Sequence, residues 1–229
     1  QALVRSERLA AIGQLAASIG HELRNPLAAI RAAATFLRRR AGIDAADARV
    51  PELFDVIDRE IVASNRIITE LLDFARSRPL VLVSTDLRAL VVEVAQLVPA
   101  GRAKLANEIP TGLPAQLLDR DQMRQVLSNL IQNAFEAAPP EREGEVVVRA
   151  GVLPGAGLSI EIADDGPGMP PEIAARAFEP LFTTKIKGTG LGLAIVAKIM
   201  SAHHGTIRVE AREPRGTRVV IELPAEAGA

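Results

Sequence analysis

The fold is decided first by the stretch Ser18-Ile19-Gly20-His21-Glu22-Leu23-Arg24-Asn25-Pro26-Leu27, which carries an imidazole, a carboxylate and a carboxamide. His21 and Asn25 are four residues apart and Glu22 adjoins His21, so on a helix the three side chains share one neighbourhood. A nucleophile beside a carboxylate that can orient it and take its proton is the simplest activated nucleophile. The stretch alone leaves the chemistry open, because its meaning depends on segments much later in the chain.

Two apolar stripes predict that the N-terminal part is a helical hairpin. The first stripe advances in steps of three and four, the period of a helix, through Leu9, Ile12, Ala16, Ile19, Leu23, Leu27, Ile30, Ala34 and Leu37. The second repeats this pattern between Leu53 and Ala75. The segment from Gly42 to Pro51 contains Gly, Asp and Pro, which end one helix and start another with Pro51 near its first turn. Pro26 is expected to bend the first helix.

A hairpin of this size has too little core to be stable alone. Pairing two hairpins into a four-helix bundle covers both stripes, so we expect a homodimer through residues 1–79. His21 lies about 200° round the helix from both Ile19 and Leu23. It therefore points away from the stripe, where a docking partner could reach it.

Composition excludes several classes of function. The chain has 229 residues, a net charge of −1 and no cysteine. There is thus no electrostatic footprint for nucleic acid or an anionic membrane, and no disulfide scaffold, thiolate zinc site or thiol catalysis. No apolar run approaches the roughly 18 residues that a membrane span needs, and we see no signal peptide. We expect a cytoplasmic fragment without membrane contact, consistent with a part of a larger protein that is anchored in a membrane.

Beyond Pro79, which marks the expected linker, the pattern changes to short strands and helices. Helices are predicted for Asp86 to Val98, Asp121 to Ala138 and Leu191 to His203, with Asp86 as an N-cap. Strands are predicted for 81–83, 145–150, 158–163, 206–210 and 218–223. This order indicates an α+β domain over residues 80–229, with one sheet layered against helices.

Four segments of this domain could carry chemistry. Asn129 and Asn133 lie four apart in 129–137, and carboxamide oxygens are hard ligands that suit Mg²⁺ bridging phosphates. Segment 164–168 is Asp-Asp-Gly-Pro-Gly after a strand, where glycines allow close approach of a ligand and an acid can accept from an amine. Segment 178–185 has two phenylalanines and a lysine. Segment 188–193 has three glycines opening a helix, a ready phosphate cradle. Each segment taken singly also has an ordinary interpretation. In the order given, these are two solvated asparagines, a turn, a packed surface loop and a glycine-rich stretch that matches no motif strongly.

In this order, and behind a His-Glu-x-x-Asn helix, the segments resemble the catalytic portion of a two-component sensor histidine kinase. Residues 21–27 are similar to the phosphoacceptor box of that family, and residues 129–137 to its N box. Residues 164–168 resemble the first glycine box, residues 178–182 the F box and residues 188–193 the second glycine box.

The resemblance implies a Bergerat-type α/β-sandwich that binds ATP and Mg²⁺, with a lid at about residues 169–187. Asp164 would accept from the adenine N6, and Asn133, supported by Asn129, would hold Mg²⁺. The nucleotide-binding residues that it implies are Asn129, Asn133, Asp164, Gly166, Gly168, Lys185, Gly188, Thr189, Gly190, Leu191 and Gly192.

The resemblance also implies a reaction. His21 would take the γ-phosphoryl group of ATP and pass it to an aspartate on the receiver domain of a response regulator. Glu22 would accept the other ring proton, and Asn25 would orient a water for dephosphorylating that partner, which would give phosphatase activity.

One position departs from the family pattern. Many members have lysine three residues after the second asparagine, where this chain has Glu136. The form Asn-Ala-Phe-Glu-Ala, with Thr183-Thr184-Lys185, resembles the nitrogen-regulatory branch. Lys185 or Arg124 would then supply the missing cation.

Two other functions remain as alternatives. A gyrase-like conformational ATPase would need a glutamate at position 129, where the chain has Asn129. A dimeric scaffold that binds nucleotide without catalysis would not need Glu22. A zinc protease is disfavoured, because its motif needs a second histidine where Asn25 stands. His203 and His204 are interpreted as partners of a helix C-terminal dipole.

Overall fold

The computed structural model describes residues 23, 25–37, 49–75, 79–99, 101–155, 157–185 and 188–225. The chain forms two compact units. The first is made of residues 1–77 and 183–191, and the second of residues 78–182 and 192–229. His21 and Glu22 lie outside the described residues, as does the segment between the first two helices.

The described N-terminal residues are helical, as the stripes predict. Helix α1 covers 25–37 and runs on past the buried ring of Pro26, while helix α2 spans Arg49–Ala75 with Pro51 in its first turn. Both helices expose large apolar side chains, namely Leu27, Phe36, Phe54, Ile61, Val62, Ile68 and Leu72. Such side chains are what a further apolar surface would cover. None of the described helices is both long enough and apolar enough to cross a membrane.

The second unit combines two sheets with four helices. Its elements in chain order are β1 (Leu82–Thr85), α3 (Leu87–Leu97), β2 (Ala103–Asn107), β3 (Gln116–Asp119), α4 (Arg120–Glu136), β4 (Gly144–Val152), β5 (Leu158–Asp164), α5 (Pro171–Ala174), α6 (Gly192–Ala202), β6 (Thr206–Ala211) and β7 (Thr217–Leu223). The larger sheet has the order β2-β4-β5-β7-β6. Strands β2 and β4 are parallel and its other neighbouring strands are antiparallel. Strands β1 and β3 form a separate antiparallel pair.

The predicted α+β class is confirmed. Strands β2 and β3 and the short helix α5 were not predicted from the sequence, and the unit has two sheets where one was expected. Strand β2 reads Ala-Lys-Leu-Ala-Asn, which contains no β-branched or aromatic residue. Asp86 caps α3 as expected, since its carboxylate accepts from the Ala89 N–H at 3.0 Å.

The core lies between one face of the larger sheet and helices α3, α4 and α6. Helix α4 is central, because it packs on β4 and β5 and against both α3 and α6. Fully buried side chains from both layers include Leu90, Leu127, Ile131, Ile160, Ile162 and Ile195. Burial of each contributes about 1.5–3 kcal/mol before chain entropy is counted.

The opposite face of this sheet carries a row of ion pairs. Arg149 on β4 pairs with Glu161 on β5 at 3.0 Å, and Glu161 lies 3.7 Å from Arg218 on β7. Arg218 also pairs with Glu210 on β6. Arg208 on β6 extends the row to Glu210 and Glu222 at 2.6 and 2.7 Å. These pairs are half-exposed, so each contributes at most about 1 kcal/mol.

A buried polar network joins α4 to the end of α6. The Asp119 carboxylate caps α4 through the Gln122 N–H at 3.0 Å and accepts from the Val81 N–H at 3.0 Å. His203 is fully buried, and its Nε2 accepts from the Asp119 N–H at 3.3 Å. Its Nδ1 must then carry the proton and donate to the Ile199 carbonyl at 2.9 Å. His203 therefore does more than the expected dipole partner, because it holds α6 to α4.

His204 ends helix α6 in the left-handed conformation, with φ of 55°. The His204 N–H donates to the Ser201 carbonyl at 3.2 Å, and the Gly205 N–H to the Met200 carbonyl at 2.8 Å. These two bonds form a Schellman motif with His204 at the C′ position, where glycine is usual.

Replacing His204 by glycine should stabilise the protein, because glycine adopts positive φ without the Cβ clash. We expect a gain of about 1 kcal/mol and a rise in Tm of roughly 2–4 °C in thermal unfolding. Ala202→Gly, two residues earlier at an exposed position of α6, is the control and should cost about 0.5–1 kcal/mol. A loss of stability in both variants would contradict the role given to His204.

Candidate functional site

The site is built around Asp164, the last residue of β5, whose side chain is buried at the start of a glycine-rich loop. Its Oδ1 accepts from the Gly166 N–H at 2.9 Å and from the Thr217 N–H at 3.1 Å. Two backbone donors thus fix the carboxylate through one oxygen. Among the described residues no hydrogen bond reaches Oδ2, so this oxygen can accept from a ligand.

Burial raises the pKa of Asp164 above the ordinary value of a carboxyl group. The hydrogen bonds from the two backbone amides and the nearby charge of Arg212 lower this pKa, while the neighbouring charge of Asp165 raises it. The net rise means that ionised Asp164 is incompletely compensated inside the protein. An N–H donor from a ligand would supply the compensation that is lacking.

The turn between β6 and β7 closes on this loop. A Cβ on Gly216, which has φ of 114°, would lie 2.0 Å from the Asp164 carbonyl oxygen. A Cβ on Gly168, which has φ of 83°, would lie 3.2 Å from the Gly216 carbonyl oxygen. Both positions therefore need glycine to allow this close approach.

Arg142 anchors the loop from its outer side. Its guanidinium pairs with the Asp165 carboxylate and donates to the Asp165 carbonyl at 2.9 Å. The other carboxylate oxygen of Asp165 accepts from the Glu145 N–H at 2.9 Å. Although partial burial raises the pKa of Asp165, these partners hold the pKa below its ordinary value. These three contacts hold Asp165 within the loop.

Two of the predicted glycine-rich segments pack against helix α4. A Cβ on Gly166 would lie 2.5 Å from the Ala137 carbonyl oxygen, at the C-terminal end of α4. A Cβ on Gly192 would lie 3.3 Å from Oδ1 of Asn129, two turns earlier. Asn133 is half-buried between them. The face of α4 that bears the asparagines thus runs between the two segments over about 12 Å.

The remaining glycine-rich residues belong to the first unit, which includes 183–191. The Thr189 hydroxyl accepts from the Leu191 N–H at 3.3 Å and donates to Glu70 of α2. The Lys185 N–H donates to the Thr183 hydroxyl at 3.1 Å, and Gly188 packs against the same threonine. Gly190 has φ of 67°, which suits glycine.

The aromatic segment lies in the second unit. The Arg176 guanidinium stacks 4.2 Å above the ring centroid of Phe182 and pairs with Glu179 at 3.0 Å. Both contacts lie within the segment for which the sequence pattern predicts an irregular loop.

The asparagine pair is chemically suited to Mg²⁺. The described residues contain no cluster of three or more His, Asp or Glu side chains that could hold a metal. Mg²⁺ does not need one, because it keeps several waters and shares its other positions with phosphate oxygens. One or two carboxamide oxygens on α4 would be enough to hold it beside a polyphosphate.

The N-terminal candidates are only partly described. Asn25 is exposed on α1, whereas His21 and Glu22 remain predictions. Arg124, a candidate for the missing cation, pairs with Glu93 at 3.3 Å and with Asp121 at 2.6 Å, on the side of α4 that faces α3. Lys185 is the other candidate and stays a prediction.

Three residues of the site were not predicted from the sequence, namely Gly216, Thr217 and Arg142. The dipeptide Gly216-Thr217 directly before a strand is a recognisable turn signal. Its place in the site depends on the pairing of β7 with β5, which sets Arg218 opposite Ala163 and so brings the neighbouring Thr217 N–H to the Asp164 carboxylate. No local pattern indicates Arg142.

Two family models match the chain. Residues 11–79 match the His kinase A (phospho-acceptor) domain. Residues 118–227 match the histidine kinase-, DNA gyrase B-, and HSP90-like ATPase. The fold and the site therefore define a nucleotide-binding domain that follows a helical phosphoacceptor domain.

Proteins that are similar to this chain are also histidine kinases. The sensor histidine kinase ZraS of Escherichia coli (strain K12) is 37% identical over 224 residues, covering 96% of this chain and 47% of ZraS. The sensory histidine kinase/phosphatase NtrB of Rhizobium meliloti is 33% identical over 231 residues, covering 93% of this chain and 59% of NtrB. The crystal structure of histidine kinase ThkA in complex with response regulator protein TrrA superposes with a TM-score of 0.79 at 28% identity, covering 97% of this chain and 64% of that one.

This chain belongs to the sensor histidine kinase family. The resemblance stated from the sequence is confirmed, and the nitrogen regulation protein NtrY of Azorhizobium caulinodans is among the relatives. The chain spans about half the length of the curated relatives that it matches.

Gly216→Ala should destabilise the second unit, because the new methyl group collides with the Asp164 carbonyl oxygen at a backbone angle that alanine avoids. Strain alone should cost roughly 1–3 kcal/mol in urea unfolding. Gly151→Ala is the matched control, since a Cβ there has open space in β4 and normal backbone angles. It should change stability by less than about 1 kcal/mol. Equal effects of the two substitutions would rule out the close approach.

Proposed function

We propose that this chain transfers the γ-phosphoryl group of ATP to His21 and then to an aspartate of a response regulator. The observation that carries the proposal is the Asp164 carboxylate, oriented through one oxygen by the Gly166 and Thr217 amides. Its other oxygen suits the N6 amine of adenine. The asparagine face of α4 begins beside this loop and offers the carboxamides that suit Mg²⁺ and phosphates.

In this reaction the imidazole of His21 attacks the γ-phosphorus as the neutral ring. A phosphorus–nitrogen bond forms while the bond to the β,γ-bridging oxygen breaks, and ADP leaves with that bond's electrons. Glu22 accepts the proton from the other ring nitrogen. Mg²⁺, when bound, supplies charge neutralisation at the phosphate oxygens.

The protein's own contribution is to bind and position the nucleotide. Asp164 orients the base, and Asn133 with Asn129 orients the phosphates and the cation. The backbone N–H groups of residues 188–193 would donate hydrogen bonds to the phosphoryl oxygens, where negative charge develops during the transfer. Lys185 adds a positive charge. Positioning and charge neutralisation account for most of the catalysis of phosphoryl transfer.

The proposal includes the partners of the chain. The exposed apolar side chains of α1 and α2 suit a homodimer that pairs two hairpins through residues 1–79. Asn25, which is exposed on α1 and follows His21 by four residues in the sequence, would orient a water that dephosphorylates the regulator. Because ATP is the phosphoryl donor, we place the reaction in the cytoplasm.

Incubation with γ-labelled ATP tests the proposal. We expect a label that is stable to base and labile to acid, and we expect its complete loss in His21→Gln. His204→Asn, which changes an exposed histidine in the other unit, should keep the label. ATP hydrolysis without labelling would favour a gyrase-like conformational ATPase, and binding without hydrolysis would favour a nucleotide-binding scaffold. Labelling that survives in His21→Gln would refute the assignment of His21.

The affinity for ATP should depend on pH through Asp164. A ligand N–H is accepted by the ionised carboxylate, so binding is strong above the pKa of Asp164 and weakens as pH falls through it. Because burial raises this pKa, the loss should begin at a higher pH than for an ordinary carboxyl group. Calorimetric titration with ATP at a series of pH values measures how the affinity changes with pH. Asp164→Asn should bind weakly and without this dependence, and a pH-dependent Asn variant would exclude Asp164 as the titrating group.

A further inference from the structure

Arg142 joins two loops of the candidate site. It belongs to the loop between α4 and β4, residues 137–143. Its guanidinium pairs with the Asp165 carboxylate, and its Nη2 donates to the Asp165 carbonyl at 2.9 Å. At its first residue the same loop meets Gly166, where a Cβ would lie 2.5 Å from the Ala137 carbonyl oxygen. The loop after β5 is therefore held at two consecutive residues, Asp165 and Gly166.

The bond to the Asp165 carbonyl restrains a peptide unit that takes part in orienting Asp164. The carbonyl of Asp165 and the N–H of Gly166 belong to one planar peptide unit, so they cannot rotate independently. That N–H donates to Oδ1 of the Asp164 carboxylate at 2.9 Å. By binding the carbonyl, Arg142 restrains the direction in which the N–H points, and with it the orientation of the Asp164 carboxylate.

Arg142 also offsets a negative charge beside Asp164. Burial is the main cause of the raised pKa of Asp164, and the negative charge of Asp165 raises this pKa further. The Arg142 guanidinium lies against that negative charge. Arg212, in the turn between β6 and β7, lowers the pKa of Asp164, and its guanidinium lies 3.4 Å from the Glu145 carboxylate. Removal of the positive charge at position 142 would leave the charge of Asp165 less compensated.

We propose that Arg142 is a positioning residue for base recognition, which restrains the peptide unit that orients Asp164 and offsets the negative charge beside it. Arg142 does not need to touch the nucleotide, because it acts through Asp165. This role rests on the proposed function, in which Asp164 accepts a hydrogen bond from the N6 amine of adenine. It makes the preference for a base with an exocyclic amine depend on the contact between the two loops.

Calorimetric titration of the whole chain with excess MgCl₂ tests this role. The probes are ATP and purine riboside triphosphate, which has no N6 amine. Wild type should bind ATP more tightly at neutral pH. In Arg142→Gln this preference should fall about tenfold, as expected for a weakened hydrogen bond to a charged group, while the affinity for purine riboside triphosphate stays within about twofold of wild type.

The pH profile separates this role from a general loosening of the fold. The preference for ATP is lost as pH falls through the pKa of Asp164, because the charged acceptor is then lost. In Arg142→Gln the less compensated charge of Asp165 should move this loss to a higher pH. In Asp165→Asn that charge is absent, so the loss should move to a lower pH.

Arg102→Gln is the matched control. Arg102 also binds the loop 137–143, since its Nη1 donates to the Pro140 carbonyl at 2.8 Å, a contact that does not involve Asp165. This variant should keep the wild-type preference for ATP and the wild-type pH profile. If it loses the preference as much as Arg142→Gln does, the proposed role of Arg142 is wrong.

Two further results would overturn the role of Arg142 and leave the proposed function standing. One is an equal loss of affinity for both nucleotides in Arg142→Gln, and the other is a shift of the pH profile in the same direction in Arg142→Gln and Asp165→Asn. If Arg142→Gln does not fold, Asp165→Asn decides, because a shift to lower pH supports the role and an unshifted profile overturns it. If wild type shows no preference for ATP, the proposed role of Asp164 fails and that of Arg142 fails with it.

Discussion

The site depends on the close packing of two glycine segments against one buried helix. Helix α4 is fixed in the core by its apolar side and by the Asp119 cap, which is itself tied to His203 and Val81. Because Gly166 contacts one end of α4 and Gly192 lies near Asn129, any shift of α4 moves both segments. A core helix thus sets the spacing between the Asp164 loop and Gly192. Such rigid support is what a positioning mechanism requires.

The local sequence was sufficient to locate the candidate residues that lie within a single helix, strand or turn. The asparagines four apart on α4, the acid at the end of β5 and the glycines that open α6 could all be located from periodicity and turn residues. Asp86 was also recognised as a cap because its role is local. The family assignment followed from the order of these segments rather than from any one of them.

The rest depended on contacts between residues distant in sequence. Strand β2 has weak β-propensity and exists because it pairs in parallel with β4. Thr217 contacts Asp164 only because β7 lies beside β5. His203 could be read as a helix-end residue, but its second bond reaches the Asp119 amide. Arg142 joins the site through a loop whose path no local pattern specifies.

The ion-paired outer face of the sheet has a consequence for how the strands align. In the observed register, Glu210 of β6 faces Arg218 of β7. A slip of two residues keeps each side chain on the same face of the sheet, so the pattern of inward and outward residues does not exclude it. In one direction that slip sets Arg208 opposite Arg218, and in the other it sets Arg212 opposite Arg218. Each misaligned hairpin would place two guanidinium groups side by side, so the charges select a single alignment and keep Gly216 beside Asp164.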